Sequence, residues 1–430
     1  MCYNIEEVKR RENKVLKKFF NTIISFTLVF SFIANFGIAK ADDQPKNKAM
    51  ILVPGLFASG LFYRGEDCAK YYKNEAVWIP MDTNYKWRVA KGITKFELFN
   101  SDLACDENGE LLNKDIGVFK ENESFPYEVD SNIAKYAVDG SGKNLIDTLT
   151  AKFPDRKVFM YNYDWRRDIE KAAEDLAQTI RQYDEVVLIG YSLGGIVSCK
   201  AAMKLKESGD LNKISKFISV AVPYNGTPEP FYVLNSGMYV GNDFIGKAVK
   251  LLGIHNIVKE IAKNCEIAFQ MLPSEKYFER AKEGYLNKDQ KILNYNETLD
   301  FIRNCEFSKK PDGTAKAFLS NPQVLFESLV DKDGKHILNY LDYHLIVGCG
   351  VDTMSEFDCN LSAPVVSKYV DGDGTVALKE SAIPFDGIDS SKIFKVKASH
   401  QKVISDNRVV EDIVNVISNS NNTNEKIEKK

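Results

Sequence analysis

Ser192 sits in Val186-Val187-Leu188-Ile189-Gly190-Tyr191-Ser192-Leu193-Gly194-Gly195, an apolar run that ends in GxSxG and passes into a helical pattern. A turn this tight needs small residues two places either side of the serine. It lifts the hydroxyl onto the C-terminal edge of a sheet, above a helix N-terminus. A serine hydroxyl is a weak nucleophile until an imidazole takes its proton, and strand-turn-helix scaffolds of this kind order the partners as serine, acid, histidine. Of His255, His336, His344 and His400, only His400 follows the acidic turn Asp371-Gly372-Asp373-Gly374-Thr375-Val376, which makes it the candidate base.

Two acids compete to fix the imidazole tautomer, Asp371 and Asp373, and their positions alone do not separate them. The cluster is not a calcium loop of the EF-hand kind, because the sixth position carries Val376 where glycine is required. An oxyanion formed during acyl transfer needs two backbone N–H donors. Leu193, following the nucleophile, supplies one. The turn Val53-Pro54-Gly55-Leu56 after the first strand is the natural source of the other, through Leu56. No cysteine spacing matches a zinc pattern, and the chemistry requires neither metal nor cofactor.

Positioning these groups calls for an α/β architecture. Met50 to Val53, Val158 to Tyr161, Val186 to Ile189 and Phe217 to Val222 read as buried strands. Ile169, Ala172, Ala173, Leu176 and Ile180 recur at helical spacing after the N-cap candidate Asp168, and Ile196 to Leu205 is helical too. From 223 to 341 the alternation stops around an amphipathic stretch from Phe244 to Ala262, the pattern of a cap inserted into the core. It resumes over 342–418 with Leu345 to Val347, Val365 to Val370, Ile393 to Val396 and a closing helix from about Asn407 to Ile417. Residues 419–430 read as a disordered polar tail.

At the other end, Lys9, Arg10, Arg11, Lys14, Lys17 and Lys18 precede an apolar run from Phe19 to Phe36 and then Ala39-Lys40-Ala41. That is the pattern of a signal peptide over 1–41, or of an uncleaved anchor, and predicts a secreted or lumenal protein. Export permits disulfides among the seven remaining cysteines. Sequence order suggests Cys68 with Cys105, Cys265 with Cys305 and Cys349 with Cys359, leaving Cys199 buried and unpaired, although spacing alone does not fix connectivity. A net charge of -3 provides no basic field for nucleic acid.

Five motifs in order, Val53-Pro54-Gly55, Tyr163-Asp164-Trp165-Arg166, the Ser192 elbow, Leu234-Asn235-Ser236-Gly237 and Asp371 to Val376, followed by His400, resemble the lecithin:cholesterol acyltransferase family, which includes lysosomal phospholipase A2. The resemblance spans roughly Met50 to Asp412. It implies an α/β-hydrolase fold, a mostly parallel sheet with a helical cap and an N-terminal disulfide-closed lipid-interface loop over 64–108. It further implies Ser192 as nucleophile, Asp373 rather than Asp371 as acid, His400 as base, and Leu56 with Leu193 as oxyanion donors. In the early loop it points to Trp78 as a lipid contact, although the density of aromatics there, Tyr71, Tyr72, Trp78, Trp87, Phe96 and Phe99, fits core packing equally well. The chain departs from the family's Pro-Trp-Gly-Gly with Pro223-Tyr224-Asn225-Gly226.

The implied activity is a phospholipase or lipid O-acyltransferase working at a phospholipid membrane or lipoprotein-like surface, passing a fatty acyl group to water or an alcohol. A carboxylesterase or triacylglycerol lipase is the nearest alternative, and a catalytically silent lipid-binding module is an alternative of another class.

Overall fold

Continuous apolar runs become buried parallel strands when both faces of a sheet are covered, and the chain meets that condition. The structure, a computed structural model, describes residues 47–63, 76–78, 102–118, 141–237, 255–317, 325–360 and 363–428. The strands are β1 (Lys48–Val53), β2 (Leu61–Tyr63), β3 (Ala76–Trp78), β4 (Ile116–Val118), β5 (Lys157–Met160), β6 (Glu185–Tyr191), β7 (Ile214–Val220), β8 (Leu286–Lys288), β9 (Lys291–Ile292), β10 (Tyr343–Cys349), β11 (Val351–Asp358), β12 (Val365–Gly372) and β13 (Ile393–Lys397). Six of them form the central sheet in the order β13-β10-β7-β6-β1-β5, every pair parallel.

The helices are α1 (Lys143–Lys152), α2 (Ile169–Arg181), α3 (Leu193–Ser208), α4 (Glu229–Ser236), α5 (His255–Ala262), α6 (Glu266–Gln270), α7 (Glu275–Ala281), α8 (Tyr295–Asn304), α9 (His400–Val403) and α10 (Asn407–Glu428). Alternate residues of a strand serve opposite faces. Ile51, Val53, Val186 and Leu188 pack with Ile169, Leu176 and Ile180 of α2 and with Ile196, Ala202 and Leu205 of α3. Met50, Leu52, Val187 and Ile189 pack with Leu145 and Leu149 of α1 and with Val409, Ile413 and Ile417 of α10. Truncating such a leucine or isoleucine to alanine costs about 2–5 kcal/mol. Asp168 caps α2 by accepting from the Glu170 amide, as its position suggests.

The segment read as a cap has a core of its own, in which Phe231, Phe269, Tyr277, Tyr285 and Phe307 surround Phe357 of β11. A second sheet, ordered β12-β11-β8-β9, joins it to the acidic turn. Here two expectations change. The run Val365 to Val370 is a strand, but it belongs to this second sheet, antiparallel to β11, and not to the core. The polar composition of β11, Val351 to Asp358, hides the partner from a reading based on hydrophobic runs. The closing helix also runs further than its apolar pattern, since α10 spans Asn407–Glu428.

Two of the three cysteine pairings suggested by sequence order do not fit the fold, and the third, Cys68 with Cys105, lies partly outside the described residues. None of Cys105, Cys199, Cys265, Cys305, Cys349 and Cys359 is bonded to another described cysteine in the structure. Cys349 and Cys359 lie at opposite ends of the eight-residue strand β11, roughly 26 Å of extended chain, far beyond disulfide reach. Cys265 packs in the core cluster, whereas Cys305 packs near Cys359 in the cap cluster. Cys105 lies beside Cys265, and Cys68 lies outside the described residues. Cys199 is fully buried on α3, and burial pushes its thiol pKa up. The leader, most of the early aromatic loop and the stretch from Phe244 to Ile254 also lie outside the described residues.

His336 closes the inserted segment. It is buried between the rings of Tyr224 and Phe385, and its Nδ1 accepts from the Leu338 amide. These residues border a cavity of about 670 Å³ that Ser192, Asp373 and His400 do not line. Burial pulls the His336 pKa down to about 3, against about 6.5 in an unfolded chain. As pH falls below about 6.5 the unfolded chain therefore takes up a proton that the folded one refuses, and stability is lost down to about pH 3. We expect His336→Gln to flatten the slope of unfolding free energy between pH 6 and 4 by about 1.4 kcal/mol per pH unit, measured by urea denaturation; an unchanged slope would contradict a neutral buried imidazole.

Candidate active site

Ser192 lies between β6 and α3 with φ 53° and ψ -127°, a strained conformation for a residue with a side chain. Three glycines allow it. A Cβ on Gly194 would lie 2.1 Å from the Val53 carbonyl oxygen, one on Gly190 2.6 Å from the Gly195 Cα, and one on Gly195 2.1 Å from Val222 Cγ2. The helix thus starts hard against the end of β1, and the Ser192 amide donates to the Val220 carbonyl on the neighbouring strand.

His400 begins the short helix α9 just past β13. Its Nε2 is 2.9 Å from Ser192 Oγ and its Nδ1 is 2.8 Å from Asp373 Oδ2. All three side chains are buried. The carboxylate selects the tautomer with the proton on Nδ1, which leaves Nε2 to accept from the serine hydroxyl. The second oxygen of Asp373 is held by the amides of Thr375 and Val376, and the His400 amide donates to the Asp373 carbonyl. Asp371, the rival acid, instead accepts from the Gly350 amide and secures the bend between β10 and β11. Gly348 at the end of β10 leaves room for Asp373, whose Cβ would be 2.5 Å from any added methyl.

Sequence reasoning missed Tyr191. Its hydroxyl donates to the His400 carbonyl at 2.7 Å and its ring stacks on the imidazole, so the residue beside the candidate nucleophile also holds the candidate base. A tyrosine next to an elbow serine gives no signal of this without the distant partner. Asn225, in the Pro-Tyr-Asn-Gly departure, donates its side-chain amide to the Glu380 and Ile383 carbonyls, while Thr227 donates to Thr375. These bonds secure the loop that follows the acid. His344, to which sequence gave no part in the chemistry, pairs through Nε2 with Asp412 and links β10 to α10.

The turn carrying Leu56 presses on the nucleophile, with the Gly55 Cβ position 3.1 Å from Ser192 Cβ. The Tyr163 to Arg166 motif braces it. The Tyr163 hydroxyl donates to the Pro54 carbonyl, the Trp165 indole to the Ser59 carbonyl, and the fully buried Arg166 guanidinium to the carbonyls of Asp102 and Ile116 and to the Asp164 carboxylate. Leu193 is the first residue of α3, where amides have no partner within the helix. The Leu234 to Gly237 motif ends α4: Gly237, at φ 64°, admits the His255 carbonyl of α5 to within 1.8 Å of where a Cβ would be.

Trp78 joins this brace. The partly buried indole donates through Nε1 to the Phe57 carbonyl at 2.7 Å and packs on the rings of Phe57 and Trp165 at 5.3 and 5.2 Å. Phe57 itself has φ 66°, next to Leu56. Of the two readings the sequence left open for the early aromatics, these contacts support packing for Trp78, whose lipid contact stays what the resemblance implies. The other aromatics named there lie outside the described residues.

A parallel six-stranded sheet covered by helices on both faces, with this elbow at a strand's carboxyl end, defines an α/β-hydrolase. Residues 143–325 match the family model described as lecithin:cholesterol acyltransferase, consistent with the resemblance carried by the motifs. The matched stretch includes Ser192 and ends before Asp373 and His400. The fold and this match support an esterase-type enzyme acting on acyl esters.

No curated protein matches the chain. Among solved structures, the chain is similar to one in the Tle4-Tli4 complex, at 12% identity and TM-score 0.46 over 88% of this chain and 99% of that one. It is also similar to Bacillus licheniformis lipase BlEst2 in mature form, at 14% identity and TM-score 0.31 over 62% and 82%. A third likeness is to the metagenomic carboxyl esterase MGS0156, at 11% identity and TM-score 0.30 over 70% and 81%.

Because Trp78 supports the Leu56 turn, Trp78→Ala should slow hydrolysis of a soluble short-chain ester and of liposomal phospholipid by the same factor, on the order of 10-fold, part of the 10²–10³ that an oxyanion donor is worth. A loss confined to liposomes would return the residue to lipid contact.

Proposed function

We propose that the chain is a serine esterase that takes a fatty acyl group from a glycerophospholipid through an acyl-enzyme on Ser192 and delivers it to water or to an alcohol such as a sterol. The observation that carries this reading is the unbroken hydrogen-bond chain from Ser192 Oγ through the His400 ring to Asp373. Ser192 Oγ attacks the ester carbonyl while His400 Nε2 takes its proton, and Asp373 stabilises the imidazolium. The amides of Leu193 and Leu56 receive the oxyanion. Collapse expels the lysolipid alkoxide, protonated by His400. The acceptor then repeats the sequence in reverse on the acyl-enzyme.

The family match supports a lipid ester as substrate. The phospholipid donor, the membrane or lipoprotein-like surface and the secreted or lumenal location are part of the proposal. Burial of the triad supports acceptor control by the inserted segment, since water must be excluded for an alcohol to compete at deacylation.

A fluorophosphonate probe is expected to label the wild type and spare Ser192→Ala; equal labelling of both would sink the serine mechanism and leave a silent module. Asp373→Asn should lower kcat by about 10⁴ with little change in KM, whereas Asp371→Asn should leave kcat within a few-fold. Mass spectrometry of products from phospholipid liposomes with and without sterol identifies donor and acceptor. Turnover of short-chain esters or triacylglycerol alone would favour the carboxylesterase or lipase.

A further inference from the structure

We propose that Cys105 and Cys265 form a disulfide that fastens the segment 102–118 to the inserted segment at the junction of α5 and α6. Their Sγ atoms are 4.0 Å apart and both side chains are buried, at 1% and 3% exposure. A disulfide brings sulfurs to about 2.05 Å, so an approach of about 2 Å completes the bond. This pairing differs from the one sequence order suggests for either cysteine.

Contacts that do not involve sulfur set the register of the two segments. The Asn264 side-chain amide donates to the Cys105 carbonyl at 2.9 Å, and Lys310 Nζ donates to Asn108 Oδ1 at 2.8 Å. Gly109, at φ 82°, leaves room for the Glu266 side chain, whose Cγ would be 2.8 Å from an added Cβ. Cys105 and Cys265 face each other between these anchors.

The surroundings enclose both sulfurs. Cys105 Sγ donates to the Arg166 carbonyl, and the buried Lys316 ammonium is held by the carbonyls of Lys263 and Phe307 and by Asn264 Oδ1. The hydrogen bond with Cys105 and burial both push the Cys265 thiol up, and the nearby Arg166 guanidinium opposes them. A thiol this buried reacts while the chain folds, before the two segments close, and is resistant to reduction afterwards.

The oxidant is a small disulfide such as oxidised glutathione. One cysteine loses its proton and its thiolate attacks the glutathione disulfide, expelling a glutathione thiolate and leaving a mixed disulfide. The second cysteine thiolate displaces the other glutathione. Two protein thiols and one glutathione disulfide thus become one protein disulfide and two glutathione thiols. The bond closes a span of 160 residues containing Tyr163 to Arg166 and Ser192, and it ties down the same segment whose Asp102 and Ile116 carbonyls bind Arg166. It does not depend on the esterase reading.

The full chain, refolded in a glutathione redox buffer, alkylated and digested without reduction, should yield a cross-linked peptide joining Cys105 to Cys265 by mass spectrometry. Cys68→Ser should keep the cross-link. Refolding in dithiothreitol instead of the glutathione buffer should lower the melting temperature of the Cys68→Ser protein by several degrees and leave that of the Cys105→Ser/Cys265→Ser protein unmoved. A Cys68–Cys105 peptide in the wild type, or alkylation of both Cys105 and Cys265 after oxidative refolding, overturns the proposal.

Discussion

The site depends on a steric contact: the first turn of α3 starts directly against the Val53 carbonyl at the end of β1, with only the hydrogen of Gly194 between them. That approach goes with the strained positive-φ conformation of Ser192, which raises the hydroxyl clear of the sheet. It also fixes the Pro54-Gly55 turn, because the same end of β1 leads into it. The nucleophile and the turn assigned to the oxyanion are therefore set by one backbone contact. Tyr163, Trp165 and Trp78 then hold the far side of that turn through hydrogen bonds to main-chain carbonyls, while Arg166 ties the same motif to the Asp102 and Ile116 carbonyls. Buried donors that lose such acceptors are costly, which gives the brace its stiffness.

The remaining two groups reach the elbow from different layers. Ser192 and His400 follow strands of the central sheet, whereas Asp373 follows β12 in the smaller sheet and is brought back by the Gly350 bend and the Val351–Asp373 bridge. Asp371 and Gly348 serve this return, one by holding the bend and the other by leaving space. The acid's position thus rests on contacts in both layers.

How much of this was legible in the sequence follows from what kind of signal each feature leaves. The core strands were visible because both faces are buried and their residues run unbroken in apolar type. The elbow was visible because its glycines are local in sequence. The smaller sheet was hidden because β11 is largely polar, so Val365 to Val370 was placed in the wrong sheet. The choice between Asp371 and Asp373 depended on a three-dimensional approach to His400, and only the family motif leaned towards Asp373, the one that contacts the ring. Tyr191, Asn225 and the Cys105–Cys265 contact were illegible for the same reason, since each acts on a residue more than a hundred positions away. Trp78 shows the converse: its type was noticed, but an indole that anchors a carbonyl and one that enters lipid look alike in a string of letters.

The β11–β8 pairing bears on how a substrate gets in. β11 belongs to the chain that delivers Asp373, while β8 belongs to the inserted segment, and the two share backbone hydrogen bonds from Phe357 to Tyr285 and from Cys359 to Asn287. Swinging the whole insert outward as a rigid door would tear this seam and drag the carboxylate with it. Any opening over the triad that keeps Asp373 in place is therefore confined to parts of the insert other than this seam.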